Sequence, residues 1–511
     1  MNLTFSGTDG IIILSVYAFI MLFIGWWAGR GKKLNESLSD YYLAGKNLGI
    51  IALFFTLYAT QYSGNTVVGY APTAYREGFA WLQSIPFMTI IVGVYLLIAP
   101  RLYAISKRAN FITPTDWVTY RFKSSAVTVL AIFLMLWGLG NYLLEQLVAI
   151  GQAVSGLTGG TIPYEFAVIA FVFVMLAYEW MGGMKAVAFT DVMQGIVLMV
   201  GIVILLVGAF TLTGSGFTGL SADIASTAPE KIGVPDTVTS VNWISMILLV
   251  GFGAAIYPHA VQRIYSSKSE RTLKRSLSRM AWMPPITTGL VFIVGIIGIQ
   301  LYPTLDVAES EQLIGMIANE VAAINSFYYW VMVLFFGGIV AAIVSTADSA
   351  LLSFSSMVSN DIYGKFVNPK ATEKKKVKVG KFAGIAVIGL LLWIAWNPPG
   401  TLYQIFVLKF ELLVQVFPAF ALGLYWKKLA AGPVFWGMLV GAIIAGTMTL
   451  TGNSTIWGIH GGVLGLAANF FICVTGSLLM PAPVETQEEA KQLTSLQLDQ
   501  VRSMEKTKSL G

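Results

Sequence analysis

Apolar runs of about 20 residues recur along the whole chain, and this recurrence limits the fold more than any other feature. A run of that length satisfies its own backbone in hydrocarbon only as a helix, because every N–H and C=O must then be paired within the segment. Hydropathy windows place thirteen spans, at approximately 10–29, 48–74, 78–101, 125–156, 163–181, 186–213, 242–266, 276–302, 328–358, 379–397, 400–424, 431–451 and 456–481. Charged residues make up 11% of the chain, about half of what a soluble domain carries. The expected class is therefore an all-α polytopic membrane protein.

The charges sort across this frame. With the spans alternating and the N-terminus outside, 29 of the 32 Lys and Arg residues fall in inside loops or in the tail. The dense segments are 263–279 and 365–381, while Arg76 and Lys231 are outside and Lys409 is intramembrane. The positive-inside rule then predicts a multi-pass protein of the cell membrane with a cytoplasmic C-terminus. Residues 1–481 form the expected transmembrane domain, and the polar, aromatic-free stretch 482–511 reads as a disordered tail. The start of the chain has neither a basic n-region nor a small-residue cleavage signal, so no removed signal peptide is expected.

Several function classes drop out. The single cysteine, Cys473, cannot form an internal disulfide, and with His259 and His460 as the only histidines a His/Cys metal site is not expected. The longest connection between spans is a few tens of residues, too short for an enzyme domain. The +6 net charge follows the membrane topology, so it carries no nucleic-acid signal, and no obligatory protein partner is expected beside the lipid bilayer. The motif Thr113–Pro114–Thr115–Asp116 is a capping box with Pro at the first helical position, and residues 306–325 have the spacing of an amphipathic helix.

Two spans contain polar interruptions. The second carries "LYATQYSGNTVVGY" (57–70), which sets Thr60, Gln61, Tyr62, Ser63, Gly64, Asn65 and Thr66 at membrane depth. The seventh carries "GFGAAIYPHAVQR" (251–263), where Pro258 removes a backbone donor. Each alone could be a kink with a satisfied backbone. Five spans apart, they suit two five-helix repeats, about 48–213 and 242–424, whose broken first helices offer free carbonyls and amides at the midplane.

The ninth span, "GGIVAAIVSTADSALLSFSSM" (337–357), aligns Ala342, Ser345, Thr346, Ser349, Ser353 and Ser356 on one helical face. Close helix packing explains such a face well. It does not explain Asp348, an intramembrane carboxylate one position off the stripe. Asp191 lies near the start of the sixth span, where a helix dipole or an ion would suit it. Glu145 and Gln146 could serve packing or a cavity. Lys409 and Glu411 could pair with other intramembrane charges, or Lys409 could meet an anionic solute.

Four segments, "DYYLAGKNLG" (40–49), "EWMGGMKAVAFTDVMQG" (179–195), "YPHAVQR" (257–263) and "VAAIVSTADSALLSFSSMVSNDIY" (340–363), together resemble the sodium:solute symporter family. This group includes sodium-coupled carriers of proline, pantothenate, sialic acid and glucose. The resemblance implies a LeuT-type fold, an inverted five-plus-five repeat with flanking helices. It implies a sodium site made by the carbonyls of Ala59, Tyr62 and Ala342 with the hydroxyls of Ser345 and Thr346. It also implies a possible second cation site at Asp191, Asp348 and Ser349; Asp348 replaces a hydroxyl there, leaving a second sodium or a proton-coupled carboxylate open. Gln61 stands where proline carriers have Asp, and Glu179 follows Tyr178 where the family has a small residue. Similarity to the pantothenate and monocarboxylate branches implies a small organic carboxylate as solute. The expected cavity residues are Gln61, Ser63, Gly64, Asn65, Gln83, Tyr257, His259 and Lys409. Symport of an amino acid or sugar, coupled to sodium or protons, is the alternative. A channel or a membrane sensor would be a different class, but neither a filter motif, a charge ring nor a signalling module is visible.

Overall fold

In a computed structural model that describes residues 7–30 and 37–480, the chain is a bundle of helices. The expected tail at 482–511 lies outside the described residues. Eleven helices among the described residues are long and apolar enough to cross a membrane. Two differences separate this number from the expected thirteen. Residues Tyr164–Thr213 are two helices joined at a non-helical Gly183 (φ +53°, ψ −158°), so the expected spans 163–181 and 186–213 follow one another without a loop and count as one apolar stretch. An added Cβ at Gly183 would lie 2.8 Å from the Tyr41 carbonyl, so both backbone and space require glycine. The second expected span is built from pieces too short to qualify alone: Ile50–Gln61, Gly64–Val68 and Tyr70–Glu77.

Both expected breaks are present. The first falls at Tyr62–Ser63, where Tyr62 has φ −107° and ψ 81°. The second separates Thr237–Ala255 from Pro258–Ser266 at Ile256–Tyr257, with the proline at the first helical position of the second piece. The two broken helices run in opposite directions. The chain just before Ile50 meets the chain just after Ser266, through Leu48 N–H to Ser266 O (3.0 Å) and Lys268 N–H to Leu48 O (3.0 Å). Inverted repeats demand this antiparallel pairing.

The serine-rich helix spans Ser326–Ser356, capped by the Asn325 side chain, which accepts from the amides of Phe327 (3.0 Å) and Tyr328 (3.1 Å). Its 338–353 stretch is buried, packed mainly against Tyr164–Thr213 and Ser125–Leu157. The capping box forms as expected: Asp116 accepts from the Thr113 amide (2.9 Å) at the start of Pro114–Phe122. Residues 306–325 form two short helices whose apolar face, including Ile314, Ile317 and Val321, is buried. The last helix, Gly461–Leu479, follows a two-stranded hairpin pairing 455–456 with 459–460 that hydropathy had merged into it.

Basic segments come together at one end of the bundle. There Lys107 Nζ donates to the Lys46 carbonyl (3.1 Å), and Lys365 pairs with Asp116 (2.9 Å) and Asp361 (2.9 Å). Large apolar side chains such as Phe19, Leu97, Phe173 and Trp393 point outward along the helices, as lipid contact requires.

Gly64 sets the distance between the first break and the serine-rich helix, since an added Cβ would lie 2.0 Å from Ile343 Cγ1. Gly64→Ala is expected to lower the melting temperature of the purified protein, by a destabilisation of about 1–3 kcal/mol. Ile343→Ala on that background should recover part of the loss, measured as a double-mutant cycle.

Candidate functional site

A break in a helix frees carbonyls, and in hydrocarbon each must find another donor. At the first break, the Tyr62 amide still closes a turn onto the Tyr58 carbonyl (2.8 Å). Beyond it the ladder stops. The Ala59 carbonyl accepts from the Thr346 hydroxyl (2.9 Å), and the Thr60 carbonyl accepts from the Tyr142 hydroxyl (2.9 Å). Next to Thr346, the buried Ser345 hydroxyl donates to the Ala342 carbonyl (3.2 Å). Of the five expected sodium ligands, Ala59 and Thr346 thus touch where the break faces the serine-rich helix, and Ala342 and Ser345 lie on the same helix as Thr346. The fifth, Tyr62, lies at the break itself, its ring against Tyr58 with centroids 4.6 Å apart. The set offers neutral hydroxyl and carbonyl oxygens, the donor chemistry that a hard monovalent cation accepts.

Deeper between the helices are two fully buried carboxylates, Asp191 and Asp348. Among the described residues, neither oxygen of either group has a hydrogen-bond partner. Glu179 and Asp191 are the charges facing Asp348, while Arg263, Thr56 and Ser345 surround Asp191. Ser349, expected to ligate a cation with them, is engaged otherwise: its hydroxyl accepts from the Arg263 guanidinium. Arg263 also donates to the Thr56 hydroxyl (3.2 Å) and the His259 carbonyl (3.1 Å). A cation belonging to the protein thus occupies part of the expected second site. The sequence places Arg263 with the basic inside segment 263–279, whereas the structure buries it in the helix Pro258–Ser266; its position five residues past a proline break, inside an apolar span, was the available signal.

The two breaks bound a small cavity of about 20 Å³, lined by Gln61, Ser63, Tyr95, Tyr142, Tyr257, Phe406 and Lys409 among others. That volume holds about one water molecule, so the cavity is closed in this conformation. Gln61 reaches across it, donating to the Met88 carbonyl (2.8 Å). Lys409 is buried and forms an ion pair with the buried Glu145. Its ammonium lies 4.0 Å from the centre of the Tyr142 ring and 4.4 Å from that of Phe406, a cation–π arrangement.

Of the eight expected cavity residues, Gln61, Ser63, Tyr257 and Lys409 line it. The other four need correction or fall outside it. Gly64 faces Ile343, because the break must approach the serine-rich helix closely. His259 is buried and absent from the lining, its ring stacked on Tyr142 (5.0 Å) and tilted against Tyr257 (4.9 Å). Gln83 is buried outside the lining, at the end of the turn 78–83. The side chain of Asn65 lies outside the described residues. Tyr95 and Tyr142 were missed, and both bind break carbonyls, Ala254 O (2.9 Å) and Thr60 O respectively.

The ends of the bundle are tied on either side of the cavity. At the end away from Leu48, Arg76 binds Glu311 (2.7 Å) and Ser310 (2.8 Å), while Glu311 accepts from the Leu402 amide (3.2 Å). At the other end, Gln262 donates to Ser356 (2.7 Å) and to the Ile112 carbonyl (3.2 Å).

Comparison with known proteins identifies the family and the fold. The chain is 26% identical to the osmoregulated proline transporter of Bacillus subtilis (strain 168), over 93% of this chain and 96% of the relative. It is 27% identical to the sodium/pantothenate symporter of Escherichia coli (strain K12), over 88% and 92%. The solved structure of a sodium-coupled sialic acid symporter in a substrate-bound, outward-open state superposes with a TM-score of 0.76 at 20% identity, covering 93% of this chain and 98% of that one. That likeness gives the fold, a LeuT-type bundle. The model of the sodium:solute symporter family matches residues 41–441. The chain belongs to the sodium:solute symporter family and is a sodium-coupled membrane transporter, not an enzyme.

Proposed function

We propose that this chain carries a small organic carboxylate across the membrane together with sodium, by alternating access. The observation that carries the solute class is Lys409, whose ammonium stands in the wall of the closed cavity between the two breaks. Its aromatic surroundings suit a solute with an acidic group and an apolar body. The likeness to a sodium/pantothenate symporter supports the reading, since pantothenate carries one carboxylate. An amino acid is the second reading. The proline transporter is comparably similar, and the Lys409–Glu145 pair presents both signs that a zwitterion needs.

In this proposal sodium binds Ala59, Tyr62, Ala342, Ser345 and Thr346. The Thr346 hydroxyl would turn from the Ala59 carbonyl, so that both oxygens face the ion. Sodium would hold the first break against the serine-rich helix and so complete the wall that binds the solute at Gln61 and Ser63. Asp191 and Asp348 form a second cation or proton site, with Arg263 holding Ser349. The repeats, about 48–213 and 242–424, rock about the cavity. The end that gathers the basic loops faces the cytoplasm and the chain begins outside. Each inward sodium adds about 2.3 kcal/mol per 100 mV of membrane potential.

Ser345→Ala and Thr346→Ala are each expected to raise the sodium concentration for half-maximal uptake on the order of tenfold, since one lost ligand of about 1.4 kcal/mol corresponds to that factor. Unaltered sodium dependence in both variants, measured in membrane vesicles, would remove the assigned site.

A thermal-shift screen of the purified protein tests the solute. Sodium but not potassium should raise the melting temperature, and pantothenate or lactate should raise it further. Lys409→Met should abolish the carboxylate shift and keep the sodium shift. A shift with proline or glucose alone would favour the second reading or a sugar.

A further inference from the structure

The Lys409–Glu145 pair has a consequence for what crosses the membrane, and it rests on the carboxylate reading of the cavity. Lys409 stands between the cavity, which it lines, and Glu145, which it pairs with and which is fully buried. An ammonium has three donors, so a solute carboxylate in the cavity becomes its second acidic partner. Titratable side chains that face Glu145 include Lys409, Tyr142 on its own helix, Tyr70 from the outer part of the first broken helix and Tyr257 from the second break. His259 packs against the Tyr142 and Tyr257 rings within the field of Lys409, with Arg263 next to it. Within this group Lys409 supplies the positive charge. Two carboxylates would then share one buried ammonium, and two like charges a few ångströms apart in such surroundings do not both stay ionised.

We propose that binding of the anionic solute to Lys409 is accompanied by one proton taken up by Glu145, so that the chain moves a proton with each solute in addition to sodium. The proton enters from the side to which the cavity is open and bonds to a carboxylate oxygen of the Glu145–solute pair. It is released on the other side when the solute leaves and Lys409 regains ionised Glu145. Which of the two carboxyl groups holds the proton at a given instant does not alter the count. A zwitterionic solute needs no proton, because its own ammonium neutralises Glu145. Glu145→Gln keeps a hydrogen-bonding partner for Lys409 and removes the need for the proton.

The experiment uses the full chain in liposomes with a trapped pH dye, an inward sodium gradient and a clamped membrane potential. Labelled pantothenate and lactate are the probes, and protein-free liposomes are subtracted. The wild type should acidify the interior by about one proton per anion taken up. Glu145→Gln should still accumulate the anion, with less than about one-tenth of that acidification and with one elementary charge less carried per anion. Sodium-driven anion uptake without acidification in the wild type overturns the proposal and leaves the carboxylate reading standing. Equal acidification in Glu145→Gln also overturns it. Uptake of proline but of neither anion overturns both. Should Glu145→Gln fail to fold, the proton count of the wild type decides alone.

Discussion

The structure depends on one constraint: a carbonyl freed inside hydrocarbon must be given a donor. Breaking two helices at midplane creates such carbonyls, and the fold answers with side chains from neighbouring helices. Thr346 serves Ala59, Tyr142 serves Thr60 and Tyr95 serves Ala254. Each donor stands on a helix other than the one it repairs. The breaks are therefore joints where three or four helices are held in register, and a cavity between them inherits walls that are already fixed. In the proposed sodium site, the Thr346 hydroxyl that satisfies the Ala59 carbonyl here would share it with an ion, and the same constraint would then underlie coupling.

Close approach is the second requirement. Gly64 against Ile343 and Gly183 against Tyr41 remove the side chains that would keep these elements apart. The serine stripe does the same with small polar groups, and its hydroxyls are consumed in several ways. Ser345 turns back on its own helix, Thr346 reaches the first break, Ser349 takes Arg263, and Ser353 and Ser356 hold Gln262 at one end of the bundle. One face of one helix thus touches the first break, the buried Arg263 and Gln262 near one end of the bundle.

Much of this was legible in the sequence because it depends on local pattern. Apolar windows located the helices, the polar run at 57–70 and Pro258 located the breaks, and the i, i+3, i+4 spacing put Ser345 and Thr346 on a common face. Long-range pairing was not legible. Glu145 and Lys409 each stood out as intramembrane charges, but nothing local says that residues 264 apart in sequence meet. The same holds for Arg263 and Ser349. His259 was misplaced because sequence fixes its neighbour in the chain, Pro258, but not the direction in which the restarted helix turns its ring. Hydropathy separated the helices on either side of Gly183 but could not see the hairpin at 455–460, since short apolar residues before a long apolar helix look like part of it.

The hydrogen bonds that Leu48 shares with Ser266 and Lys268 join the two oppositely directed helices through main-chain atoms alone. A joint of this kind is indifferent to which side chains surround it. Substitutions can reshape the cavity for a different solute while this end contact keeps its geometry, because no side chain takes part in it.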